Sequence, residues 1–264
     1  MDNEVEKIPI IRLTEGNKQD MEDVVVRETP FTIILNNEEL VTLLCSPADL
    51  KYLAVGFLFS EGLLHGKDDI NKILVDERRG IARVETKEGT NPGKDVLFKR
   101  FLTSGCGRGA SFYSAADVQA QNKIESQVSI SANEIFILAK KFHHRSEVFL
   151  ATGGVHSAAL CDSANILVFN EDIGRHNAID KVFGKCLLDD IPTNNRIIIT
   201  SGRISSEILL KIAKREIPII ISKSAPTNLG IKLAEDLGIT LIGFARGKRM
   251  NVYTNIERIT KVGK

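Results

Sequence analysis

Cys106 lies in Ser104-Gly105-Cys106-Gly107-Arg108-Gly109, and a thiol in that setting is equipped for chemistry. Three glycines free the backbone to present sulfur to a partner, and the Arg108 charge favours thiolate over thiol, the form that attacks another sulfur. A cysteine that only fills a core normally has apolar neighbours. The same stretch also reads as a glycine-rich turn whose thiol is incidental. Cys45, Cys161 and Cys186 sit in apolar or helical settings and read as core. Four cysteines this widely spread, with no C-x-x-C pair, do not make a disulfide scaffold; reduced thiols and a cytoplasmic location are the default.

A second set of residues gathers where strands are expected to end. Thr152-Gly153-Gly154-Val155-His156-Ser157 could bring backbone amides to an anion beside an imidazole, and Asp172-Ile173-Gly174-Arg175-His176 ends in two basic groups at a helix start. Thr200-Ser201-Gly202-Arg203 follows an apolar strand, as does Phe244-Ala245-Arg246-Gly247-Lys248-Arg249, with three cations and an aromatic. Taken singly, a Gly-Gly turn is a tight connection and a basic loop a solvated one. Their recurrence at successive strand ends predicts a pocket for a phosphorylated, ring-containing ligand, with arginine forks for phosphate and Phe244 for stacking. His156 and His176 read as hydrogen-bonding or proton-handling groups, or as structural histidines. His143-His144 suits a helix C-terminus, where cations offset the dipole. Neither G-x-x-x-x-G-K-[ST] nor G-x-G-x-x-G occurs, so the common ATPase and dinucleotide fingerprints are missing.

The elements that must position these groups follow from the pattern. Residues 1–27 read as a polar lead-in with short strand content, and 28–44 as a hairpin turning at Asn36-Asn37. Ser46 and Pro47 predict the start of a helix that Gly62 ends. Residues 67–84 end in short strands, 86–94 form a turn-rich loop, and 111–127 form a polar, exposed segment. Ser131 to Glu134 is a capping box opening a helix. Strands are then predicted at 147–151, 165–169, 196–200, 217–222 and 239–244, with helices at 176–188, 205–215 and 228–237 between them. Apolar β-branched runs separated by amphipathic helices imply an α/β domain with a layered, mostly parallel sheet. The division predicted is a smaller β-rich domain over 1–115, which includes the Cys106 loop, and an α/β domain over 116–264.

The chain has 264 residues, 43% of them hydrophobic, enough for a normal core. Its net charge of +1, from 35 basic and 34 acidic residues, speaks against general nucleic-acid binding. The acidic start lacks the pattern of a signal peptide, and no apolar run approaches the ~18 residues of a membrane span, so no membrane association is expected.

The motifs TLLCSPADLKYLAVGFLFSEGL, TSGCGRG, TGGVHSA, EDIGRHNAIDK, TSGRISSEI, SKSAPTNLGIKLAEDLGITLIGFARG and NVYT, in this order and over nearly the whole chain, resemble the FdhD family, the formate dehydrogenase accessory sulfurtransferases. The resemblance implies a sulfur carrier between a cysteine desulfurase and the molybdenum bis(molybdopterin guanine dinucleotide) cofactor of formate dehydrogenase. It also implies a homodimer and a second domain similar to the cytidine deaminase fold. Under it Cys106 matches the cysteine that holds a persulfide, and Phe244 to Arg249 a loop that binds the cofactor, a substrate here. Gly153, Gly154 and Gly202 would then face the guanine nucleotide halves, with Ser201 beside them and Arg175, Arg203 and Arg246 as phosphate partners. One departure stands out: the family often carries C-x-x-C, where this chain has Gly109 in the second position. One sulfur acceptor still suffices for transfer, but any mechanism resolving through a neighbouring thiol is put in doubt, which admits a competing reading, a cofactor-binding chaperone without sulfur transfer; a hydrolase of nucleotide-like substrates is a third. The zinc deaminase signature is missing, since His156-Ser157-Ala158 lacks the glutamate and no P-C-x-x-C exists, so neither zinc nor deamination is expected.

Overall fold

The computed structural model describes residues 3–87, 101–102, 110–111 and 122–260. Cys106 and the predicted boundary between residues 115 and 116 lie outside the described residues, as do 88–94 and most of the polar segment at 111–127.

The first 27 residues are more regular than their polarity suggests. β1 (Val5–Thr14) and β2 (Asn17–Val26) pair antiparallel over their whole length and form a separate ribbon. β3 (Thr29–Leu35) and β4 (Glu38–Cys45) make the predicted hairpin, with Asn36 and Asn37 both at positive φ, 49° and 67°. Two such residues in sequence give the turn whose twist matches the flanking strands. The helix α1 (Leu50–Glu61) begins later than Ser46 and Pro47 suggest; Ser46 is occupied elsewhere, and Asp49, in the left-handed region, precedes the first turn. β5 (Ile70–Asp76) and β6 (Ile81–Thr86) complete a four-stranded sheet in the order β4-β3-β6-β5, with α1 packed on it. β7 (Phe101–Leu102) and β8 (Ala110–Ser111) pair antiparallel, Leu102 opposite Ala110.

β9 (Ile130–Ser131) leads into α2 (Ala132–His144), whose capping box forms as predicted: Ser131 Oγ accepts from the Glu134 amide at 3.2 Å, and the Glu134 carboxylate accepts from the Ser131 amide at 2.7 Å. The stretch predicted as a strand at 147–151 is instead a short helix, α3 (Glu147–Thr152). The reason lies outside the segment. The Glu171 carboxylate accepts from the Val148 amide and binds the Ser146 hydroxyl, supplying the N-terminal partners a helix needs. At the other end Gly153 closes the helix at φ 67°.

The main sheet has six strands: β10 (His156–Cys161), β11 (Ile166–Asp172), β12 (Ile197–Thr200), β13 (Ile219–Ser222), β14 (Thr240–Arg246) and β15 (Arg249–Val252), in the order β11-β10-β12-β13-β14-β15. Only β12–β13 and β13–β14 pair in parallel; the other three pairings are antiparallel, so the sheet is mixed rather than mostly parallel. Every antiparallel pairing involves β10 or β15, neither of which is among the strands expected from the sequence; β10 is an apolar run buried along almost its whole length and so lacks the two-residue period of a half-exposed strand. The helices α4 (Arg175–Leu188), α5 (Ser206–Ala213) and α6 (Asn228–Asp236) cover one face of the sheet in one apolar cluster, and α2 covers the other. β16 (Ile259–Thr260) returns to pair with β9.

The two sheets are joined through α1 and α4, which cross at glycine. A Cβ on Gly56 would stand 1.7 Å from the Asp180 carbonyl oxygen, and one on Gly184 would stand 1.9 Å from that of Tyr52. Around this crossing runs a buried polar net. Asp172 accepts from the Ser46 amide at 3.1 Å and pairs with the fully buried Lys181 at 2.7 Å. Asp180 accepts from Ser60 at 2.6 Å and pairs with Lys211 at 2.7 Å, which also reaches Glu61. The charged letters of EDIGRHNAIDK thus serve largely to lock the first part of the chain onto the second.

Candidate functional site

The register of the main sheet puts the predicted loops at one end. His156 is opposite Asp172, Ala158 opposite Thr200, Thr200 beside Ser222, and Ile221 beside Ile242. The segments following β11, β12, β13 and β14, and the one preceding β10, therefore share an edge where helices α4, α5 and α6 begin. Such an edge is where open α/β sheets collect ligands.

Within that edge the structure makes two groupings. Around β10 and β12, Ser201 Oγ accepts from the Ser157 amide at 2.9 Å and lies 3.3 Å from His156 Nδ1. Arg175 opens α4 against Gly202, where a Cβ would stand 2.8 Å from the Arg175 Cβ, so only glycine admits this approach. Arg203 is exposed beside them. His176 Nε2 stands 3.5 Å from Glu207, and burial first, then the Lys211 and Arg175 charges, push its pKa down to about 3. His156 is held below the usual imidazole range by burial and by Arg175.

The glycines do not offer the free amides that the sequence suggests. The Gly154 amide donates to Thr152 Oγ1, the Gly202 amide to Thr200 Oγ1, the Gly153 amide to the Phe149 carbonyl and the Ser201 amide to that of Ser157. Gly154 is small because Val26 of β2 would stand 2.7 Å from a Cβ there. Capacity for an anion at these turns therefore does not come from these four amides.

The second grouping is a cavity of about 760 Å³ between α2 and the β14–β15 hairpin. Ala245, Arg246, Gly247 and Lys248 form one side of it, and Phe136, Ile137 and Ala139 of α2 the other. The β14 strand is bulged between Gly243 and Arg246, with Phe244 at φ 53° and Gly247 turning at φ 62°. The bulge brings the Arg246 guanidinium 5.7 Å from the centre of the Phe244 ring, and Arg249 starts β15 beyond the turn. Three further bases line the cavity to which the sequence assigned no binding role: Lys140 and His143 of α2, and Lys223, directly after β13. Their meeting depends on the packing of α2 against β14, a tertiary contact with no local signal.

The three described thiols are buried, and burial pushes each up to about 12: Cys45, Cys161 and Cys186. None ionises near neutral pH, and their reading as core residues is borne out. Among the described residues no cluster of three or more His, Cys, Asp or Glu is placed to hold a metal ion, and no helix is long and apolar enough to cross a membrane.

The FdhD/NarQ family model matches residues 26–260. The chain belongs to the FdhD/NarQ family. The match begins at the last residue of β2, so nearly all of the β1–β2 ribbon lies ahead of it. A relative from Bacillus pumilus, named sulfur carrier protein FdhD, is 45% identical over 247 residues, covering 94% of each chain. One of the same name from Listeria monocytogenes is 46% identical over 253 residues, covering 95% of this chain and 97% of its own. A crystal structure from Desulfotalea psychrophila, assigned as a formate dehydrogenase accessory protein, superposes with a TM-score of 0.80 at 30% identity, covering 97% of this chain and all of that one. The resemblance carried by the sequence motifs is thus confirmed at the level of family.

Proposed function

We propose that this FdhD/NarQ protein is a sulfur carrier that accepts sulfur on Cys106 from a cysteine desulfurase and passes it to molybdenum bis(molybdopterin guanine dinucleotide) bound as substrate for a formate dehydrogenase. The observation that carries the reading is elimination among the thiols. Three of the four are buried with pKa values pushed up to about 12, and only Cys106 has a sequence setting that favours thiolate. The printed names of the relatives support the sulfur-carrier role.

In the accepting step the Cys106 thiolate attacks the outer sulfur of the desulfurase persulfide. The sulfur–sulfur bond there breaks, the desulfurase cysteine leaves as thiolate, and Cys106 becomes the persulfide. One acceptor thiol suffices, so Gly109 in place of a second cysteine does not prevent the step. The cofactor substrate would lie at the strand-end edge, with Phe244, Arg246, Lys248 and Arg249 of the β14–β15 hairpin as its contacts and Arg175, Ser201 and Arg203 at the neighbouring grouping. A homodimer is part of the same proposal. The test is Cys106→Ala in a strain depending on this chain for formate dehydrogenase. Active dehydrogenase is expected with the wild type and loss of activity with the variant, while cofactor binding is retained. Full activity with Cys106→Ala would instead favour the cofactor chaperone.

A further inference from the structure

The motif Ser222-Lys223-Ser224-Ala225-Pro226-Thr227 and the pair His143-His144 are far apart in sequence, and the structure joins them. Lys223 is held at the sheet edge by its amide, which donates to the Thr200 carbonyl at 3.1 Å. Its side chain turns into the cavity and places Nζ 3.0 Å from His143 Nδ1. An ammonium can only donate, so His143 Nδ1 accepts and the imidazole carries its proton on Nε2. One ammonium proton is thereby directed at His143, and the other donor positions remain for a ligand.

The lining has a single sign of charge. Lys140, Lys223, Arg246 and Lys248 face it together with His143, and no carboxylate is among the lining residues. Nor does Lys223 make an ion pair with any described carboxylate. Half-burial and the neighbouring Arg246 hold the Lys223 ammonium below the usual lysine range, and burial and Lys223 lower His143 in turn. Cations gathered at a part-buried wall repel one another unless a bound anion offsets them. Across the cavity, Phe136 and Ile137 offer an apolar surface, with Ile137 45% exposed. A ligand that fits both walls has a flat apolar ring at one end and several negative charges at the other.

We infer that Lys223, held by His143, is a phosphate-binding residue of this cavity and receives the diphosphate of a guanine nucleotide whose base lies against the α2 wall. The inference rests on the proposed cofactor substrate, which carries such a nucleotide at each end, and adds to it a residue outside the Phe244–Arg249 loop.

Calorimetric titration of the full chain with GDP and with guanosine tests it. The wild type binds GDP more tightly than guanosine. Lys223→Met, which keeps the apolar stem, weakens GDP at least about tenfold, the effect of losing a hydrogen bond to a charged group, and leaves guanosine unchanged. Lys223→Arg keeps most of the GDP affinity. Equal GDP affinity in the wild type and Lys223→Met would overturn the inference and leave the cofactor proposal standing. Equal losses for GDP and guanosine would also overturn it, since the lysine would then only hold the fold. A wild type that binds no GDP would remove both.

Discussion

Several chemistry-bearing residues that could be singled out one by one are taken up by the fold. His176 is one that packing holds neutral. Its ring is packed between α4 and α5 beside Glu207, and its pKa is pushed down to about 3 by burial first and then by Lys211 and Arg175. A base whose folded pKa lies below its unfolded value of 6.5 binds fewer protons folded than unfolded. The stability from keeping it neutral is whole above pH 6.5 and is lost as pH falls toward 3. Urea unfolding at pH 7 and pH 5 is expected to show about 2 kcal/mol lost to this one group. His176→Gln should flatten that slope, and an unchanged slope in the variant would assign the pH dependence elsewhere. The sequence marked Cys106, Arg203 and the Arg246–Lys248 turn by residue type and neighbours. It gave Lys223 no role and His143 only that of a cation at a helix end, because a lysine after a strand and a histidine near a helix end are ordinary until α2 is packed against β14. It also overvalued the glycines. Gly154 and Gly202 are required by the close approach of Val26 and Arg175, a reason visible only when those segments are in place.

Elements with strong local grammar were readable. The Asn36-Asn37 turn, the Ser131–Glu134 capping box and the helices α4, α5 and α6 formed close to where periodicity and caps put them. Those that failed had their determinants at a distance. The segment 147–151 became a helix because Glu171, on β11, supplies its N-terminal acceptor. The β1–β2 ribbon was legible only as short strand content, because its strands carry no regular alternation: β2 opens on four polar residues, Asn17 to Asp20, and gathers its valines at the end. The α1–α4 crossing carries the sharpest element-level prediction. Gly184→Ala puts a methyl group 1.9 Å from a backbone oxygen, which side-chain adjustment cannot relieve, so the helices must separate. A loss of about 3 kcal/mol or more is expected in chemical denaturation, at the upper end of overpacking effects. A loss near zero would mean that the crossing yields easily.

For the whole molecule, the nets around Asp172 and Asp180 join the first sheet to the second through buried charges paired with one another. Removing one member of such a buried pair leaves the other uncompensated. Because α1 takes part in the core of its own sheet and Phe59 at its end in that of the other, the two sheets should melt together. Calorimetry is expected to show a single cooperative transition, and two resolved transitions would contradict that coupling. Three of the four thiols are buried in the core, and the proposed function turns on the fourth, Cys106, by its sequence setting. The most direct measurement is intact-protein mass after incubation with a cysteine desulfurase and cysteine. The wild type should gain one sulfur atom that reductant removes, and Cys106→Ala should gain none. A variant that still takes up the sulfur, or a wild type that never does, would contradict the carrier role.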